Sequence, residues 1–123
     1  MKHNRPFGNS VRDALRGVYH AAQTERNFRF ELAVACVVLP GAFFVPLTMA
    51  ERAGVWLCVF AVLVAELFNT AIEHTVDVAT QEQSEVARVA KDTSAAAVLF
   101  VSIGALCYGC AVAWLVVQRS AVF

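Results

Sequence analysis

Residues 53–77 read AGVWLCVFAVLVAELFNTAIEHTVD, an apolar run long enough to cross a bilayer that carries Glu66, Asn69, Glu73 and Asp77 inside it or at its end. At about 100° per residue these four side chains fall within an arc of roughly 80° on one helix face, so the stripe is arranged rather than scattered. Ionisable groups at membrane depth are costly and mark a functional site by default.

The rest of the chain agrees with a membrane setting. Of its 123 residues 59% are hydrophobic and only 16% charged, above the usual apolar share of a soluble domain. Positions 32 to 50 carry no charge, positions 53 to 72 carry only Glu66, and positions 93 to 118 carry none. These runs predict three transmembrane helices, at about 29–47, 53–76 and 92–118, in a single all-α domain covering 1–123. The first is short and holds Pro40, Gly41 and Pro46, which predict a kink or an early end.

Ten basic and ten acidic side chains cancel, so net charge predicts no nucleic-acid partner, but their distribution predicts topology. Lys2, Arg5, Arg12, Arg16, Arg26 and Arg29 precede the first span, and Arg88 and Lys91 lie between the second and third. Only Arg52 and Arg119 fall on the opposite side. The amino terminus and the 74–92 connection are therefore expected in the cytoplasm. A signal peptide is not expected, since the first apolar run begins near residue 32 behind a long charged segment. Cys36, Cys58, Cys107 and Cys110 all fall within spans and read as packing residues. A zinc or redox role for Cys107 and Cys110 would need a second ligand pair, which His3, His20 and His74 are not spaced to supply.

Ahead of the spans, Phe7, Val11, Ala14, Leu15, Val18, Tyr19 and Ala22 recur at three- and four-residue spacing, with Arg12, Asp13, Arg16, His20 and Gln23 opposite. This predicts an amphipathic helix over about 7–23 lying on the membrane surface. Its Arg12 and Arg16 are placed to meet anionic headgroups or, at a catalytic centre, nucleotide phosphates. Thr24 reads as a cap, with Glu25 at the start of the next helix. Leu47 to Arg52 reads as a short external connection without chemistry, and residues 78–92 as a longer polar cytoplasmic connection of the sort that carries ligand contacts.

Carboxylates on one face near the end of a helix, with Lys91 and Asp92 at the start of the next span, suit a divalent metal and a polyphosphate. Magnesium favours carboxylate and phosphate oxygens, and Glu73 and Asp77 lie one turn apart. Lys91 supplies a compact charge for phosphates. Glu66 lies about 10 Å deeper than Glu73, seven residues at 1.5 Å each. Desolvation at that depth suits a general base acting on a lipid hydroxyl, with Asn69 orienting base or hydroxyl. Two other readings compete: interhelical hydrogen bonding alone, and a non-catalytic ion-conducting or scaffolding bundle. The second gives no role to Glu25 or Lys91.

The run Glu66 to Asp77, ELFNTAIEHTVD, followed by Ala90-Lys91-Asp92, resembles the ELxNxAIExxxD signature of the small bacterial diacylglycerol kinase family, which includes undecaprenol kinases. The likeness continues in Gly8 to Arg12, Ala14 to Gly17 and Glu25 to Arg29, and so covers about residues 7 to 117. The resemblance implies a homotrimer of chains with a surface helix and three transmembrane helices, in the bacterial inner membrane. It implies transfer of the ATP γ-phosphoryl to a membrane lipid alcohol, diacylglycerol first with undecaprenol close behind, and magnesium as cofactor. By motif position the catalytic base falls on Glu66, the metal-binding carboxylates on Glu25 and Glu73, and the nucleotide contacts on Asn69, Asp77, Lys91 and Asp92. Glu82 and Glu85 are further nucleotide-binding candidates, in a loop where Glu82-Gln83-Ser84-Glu85 lacks the aromatic and histidine of enteric members. Glu31 also matches a family acidic position. Ser94-Ala95 stands where enteric members have Gly-Ser, and Glu25 to Arg29 is closer to the undecaprenol kinase branch.

Overall fold

The computed structural model describes residues 7–80 and 84–121, and among them every regular element is a helix. The order is α1 (Phe7–Thr24), α2 (Arg26–Gly41), α3 (Met49–Ala79) and α4 (Glu85–Ser120). Helices α3 and α4 form the principal pair, α2 packs on α3, and α1 touches α2 and α3.

The turn between α1 and α2 is made by main chain and one arginine. Glu25, extended at φ −100° and ψ 116°, precedes α2 without a side-chain cap bond, and its N–H donates to Ala21 O at 2.8 Å. Arg29 Nη1 reaches back to Ala22 O (3.3 Å) and Gln23 O (3.1 Å), satisfying carbonyls that the end of α1 leaves open. Thr24 is not the cap that its residue type predicts: its hydroxyl donates backwards to His20 O at 3.0 Å, and Glu25 takes the cap position. The corner is closed by Ala21 and Phe28, each only 2% exposed. On α1, Phe7, Val11, Leu15 and Tyr19 form an exposed stripe at four-residue spacing.

Pro40 sits in the last turn of α2, and Phe43 N–H and Phe44 N–H then bond to Pro40 O and Gly41 O in a tightening turn. With 16 residues α2 is about 24 Å long, short of the roughly 30 Å of hydrocarbon. Helices α3 and α4 are each long and apolar enough to cross a membrane. At 31 and 36 residues they measure about 46 and 54 Å, so their ends extend beyond the hydrocarbon.

Both long helices begin earlier than the apolar runs alone indicate. Thr48 and Glu51 form a capping box: Glu51 N–H donates to Thr48 Oγ1 (3.2 Å) and Thr48 N–H to Glu51 Oε2 (2.8 Å). The Thr-x-x-Glu spacing is its sequence signature, and it draws residues 49–52 into α3 instead of leaving them in a connection. Likewise Ser84 accepts from Ala87 N–H at 3.1 Å, and Glu85 favours the positive end of the dipole, so α4 starts inside the stretch read as a long polar loop.

At the Thr48 end the helix pair is stapled. Arg119 Nη2 donates to both carboxylate oxygens of Glu51, at 3.0 and 2.9 Å, and Tyr108 Oη donates to Glu51 O at 3.3 Å. Arg52 Nε donates to Ala42 O at 3.0 Å while its guanidinium lies 5.2 Å from the Phe43 ring centroid, fixing the α2–α3 turn. Gly54 is required by this packing, because a Cβ there would overlap Tyr108 Oη and Cζ and lie 2.8 Å from Cε1.

Two outcomes are expected from this staple. Gly54→Ala should lower the thermal unfolding midpoint in detergent micelles, with a cost of about 1–3 kcal/mol from overpacking. Glu51 precedes the apolar run, and the Thr48 N–H and then Arg119 hold its carboxyl below the usual range. Its contribution is fully present above the unfolded-state value, near 4.3, and is lost as pH falls through the lower folded value. The gap in unfolding midpoint between wild type and Glu51→Gln should therefore be constant near neutrality and close only in strong acid.

Candidate active site

The polar face of α3 turns inward. Glu66 is 3% exposed and Thr70 7%, whereas Phe60, Val64, Phe68 and Ile72, roughly opposite on the helix, are all exposed. Such an orientation follows from the cost of presenting a carboxylate or amide to hydrocarbon.

Around Glu66 the carboxylates converge. Glu25 and Glu73 lie within electrostatic reach of Glu66, and Glu66 within reach of Glu31. Glu25 comes from the α1–α2 turn, Glu31 from α2, and Glu66 and Glu73 from α3 two turns apart. Glu31 Oε2 is buried without a hydrogen-bond partner. Its side chain borders both a polar notch with Arg26 and Asn27 and an open apolar groove of about 590 Å³ between α2, α3 and α4, whose walls include Val34, Val38, Val62 and Leu106.

A hydrogen-bonded chain ties α4 to this cluster. Ser94 Oγ donates to Asn69 Oδ1 at 2.6 Å, and Asn69 Nδ2 donates to Glu73 Oε1 at 3.0 Å. Further out, Lys91 Nζ is ion-paired with Asp77 across the α3–α4 junction. On the other side, His74 Nε2 stands 3.9 Å from Glu25 Oε1, and the His20 ring meets the His74 ring edge-on with centroids 5.5 Å apart.

The structure thus gathers Glu25 and Glu73 around Glu66 and ties Asn69 to Glu73, while Asp77 and Lys91 pair further out at the α3–α4 junction. Asp92 and Glu85 are placed differently: both are exposed and grip Arg88, at 2.7 Å from Asp92 and 2.5 Å from Glu85. Arg12 and Arg16 are exposed on α1, with Arg16 lying 3.8 Å from Asp13. Glu82 lies outside the described residues. Sequence reasoning gave no role to Ser94, His20 or His74. A hydroxyl in an early turn of an apolar span was the available signal for Ser94, but its partner 25 residues away was not legible.

Residues 12–113 match the family described as prokaryotic diacylglycerol kinase. The chain is 43% identical over 100 residues to the undecaprenol kinase of Bacillus subtilis, covering 81% of this chain and 80% of that one. It is 38% identical over 101 residues to a diacylglycerol kinase of Synechocystis, covering 81% of this chain and 58% of that longer relative. With a diacylglycerol kinase of Haemophilus influenzae it shares 36% identity over 90 residues, or 73% and 76% of the two chains. The chain belongs to the prokaryotic diacylglycerol kinase family, and it is a lipid kinase of the membrane.

Replacing Asn69 by leucine removes both bonds of the Ser94–Asn69–Glu73 chain. Interhelical hydrogen bonds in membranes average well under 1 kcal/mol each, so Asn69→Leu should cost about 1 kcal/mol in the unfolding equilibrium, measured in micelles.

Proposed function

We propose that the protein transfers the γ-phosphoryl of ATP to the hydroxyl of a membrane lipid alcohol, with Glu66 as general base. The observation that carries this is the burial of Glu66: a carboxylate that deep, gathered with Glu25, Glu31 and Glu73 in a lipid kinase, is placed to meet the hydroxyl of a membrane lipid. Glu66 takes the proton of the lipid hydroxyl as that oxygen attacks the γ-phosphorus; the new O–P bond forms, the bond to the bridging oxygen breaks, and ADP leaves. Positioning and charge neutralisation supply the rate, and the chain contains no P-loop or kinase Gly-rich loop.

Among the described residues no three His, Cys, Asp or Glu side chains are grouped to hold a metal alone. Magnesium needs only one or two carboxylates when phosphate oxygens complete its shell, and the Glu25 and Glu73 oxygens fit that share. Bound there, magnesium would supply charge neutralisation at the β- and γ-phosphates. Lys91 and Asp77 would contact the nucleotide from the α3–α4 junction, with Asn69 beside them. For Asp92 and Glu85 such a role requires Arg88 to release them; for Arg12 and Arg16 it requires phosphates on the α1 side.

A single chain leaves the groove beside Glu31 open, and so much outward apolar surface suits a homotrimer in which neighbours complete the site. In that assembly α2 with residues 42–48 is the third span, and the basic amino-terminal segment and the 74–92 connection lie on the cytoplasmic side of the inner membrane. The groove below Glu31 offers a lipid chain an apolar wall that ends at carboxylates. The names of the relatives, an undecaprenol kinase and diacylglycerol kinases, support diacylglycerol and undecaprenol alike as acceptors. The ion-conducting or scaffolding alternative is not favoured, because the chain belongs to a kinase family.

Radiolabelled phosphate transfer in micelles, with undecaprenol, diacylglycerol and other lipid alcohols offered side by side, tests both the reaction and the acceptor. Glu66→Gln should abolish turnover and retain magnesium-ATP binding, whereas Glu73→Gln should weaken both. Wild-type turnover in Glu66→Gln would remove the assigned base.

A further inference from the structure

Ser94 is the one buried polar side chain of α4, 7% exposed, in an early turn of the helix. Its hydroxyl has two acceptors, Asn69 Oδ1 at 2.6 Å and Lys91 O at 2.8 Å. The Lys91 carbonyl belongs to the main-chain ladder of α4, so the side-chain oxygen of Asn69 is the acceptor that depends on Ser94.

The direction of this chain of bonds is fixed by chemistry. An ionised carboxylate only accepts, so the Asn69 face turned to Glu73 Oε1 must be its NH2 group. The amide oxygen then faces α4, and Ser94 must donate to it. Reversing the amide would set two oxygens against each other at 3.0 Å. Glu73 therefore sets which way the amide points, the Ser94 hydroxyl anchors that amide from α4, and the amide holds one of the two oxygens of Glu73.

The geometry points to Ser94 as a positioning residue for the nucleotide site: through Asn69 it orients the Glu73 carboxylate toward the magnesium of the bound nucleotide. It is not a catalytic residue, since it touches Asn69 and its own helix. The inference rests on the assignment of Glu73 as a metal-binding carboxylate. Outer partners of ligating carboxylates hold them in one geometry, and their removal typically costs 10- to 100-fold in metal affinity.

The test uses the full chain in micelles, with Mn2+ binding in the presence of a non-hydrolysable ATP analogue read by electron paramagnetic resonance. Lipid-dependent phosphate transfer is followed in parallel over a range of free Mg2+. Ser94→Ala should weaken Mn2+ binding and raise the Mg2+ needed for half-maximal rate by roughly tenfold, leaving the KM for lipid unchanged. Ser94→Thr, which keeps a donor at the same position, should restore most of both. Wild-type Mn2+ affinity in Ser94→Ala, with Glu73→Gln impaired, overturns the relay and leaves the metal assignment standing. Wild-type Mn2+ affinity in Glu73→Gln overturns the metal assignment, and the inference with it. Equal losses in the alanine and threonine variants would reduce Ser94 to a packing residue.

Discussion

A carboxylate or amide at the depth of Glu66 and Asn69 has no water to bond with, so it must be turned to protein. That requirement sets the rotation of α3. Its exposed side presents Phe60, Val64, Phe68 and Ile72, and its inward side presents Glu66 and Thr70 to the other helices. Once α3 is so turned, its partners are constrained as well: α4 brings a hydroxyl to Asn69, while the α1–α2 turn brings Glu25, and α2 brings Glu31, within reach of Glu66. The stripe that would be a liability in a lipid-facing helix becomes the organising surface of the chain.

The two ends of the α3–α4 pair are built for different work. At the Thr48 end the capping box, the bidentate Arg119–Glu51 bridge and the tight seat of Tyr108 on Gly54 hold the helices in register. At the other end the groups are charged and polar, and their pairs lie on side chains that are in large part exposed. Lys91 and Asp77 form an ion pair that is partly exposed and worth little in stability. Stability and chemistry are thus separated along the length of one helix pair.

Little of the chain is buried within itself: among the described residues the buried hydrophobic side chains are Ala21, Phe28, Ala35, Ala42 and Val112. For a soluble protein so much exposed Phe, Leu and Val would be untenable, whereas in hydrocarbon it carries no penalty, because lipid tails solvate these side chains as well as other helices do. What holds the helices together must then be close packing and polar contacts, and the most deeply placed of those contacts belong to the site itself.

The helical class, the break near Glu25 and the polar stripe of α3 could be read from the sequence, because each is a local property: a periodicity, a change of composition, a charge where none is tolerated. The motif Glu66 to Asp77 also placed the chain in its family before any coordinate. The starts of α3 and α4 were legible in principle through Thr48-x-x-Glu51 and Ser84, but hydropathy dominated the reading there and assigned both to connections. Tertiary structure alone decided that Ser94 bonds Asn69, that His74 stands beside Glu25, and that Asp92 and Glu85 turn to Arg88 rather than to the carboxylate cluster. Those pairings depend on the rotation and axial offset of helices whose residues lie far apart in the chain. A one-dimensional pattern fixes which face of a helix is polar, but which group on a neighbour meets it is set only when the helices pack.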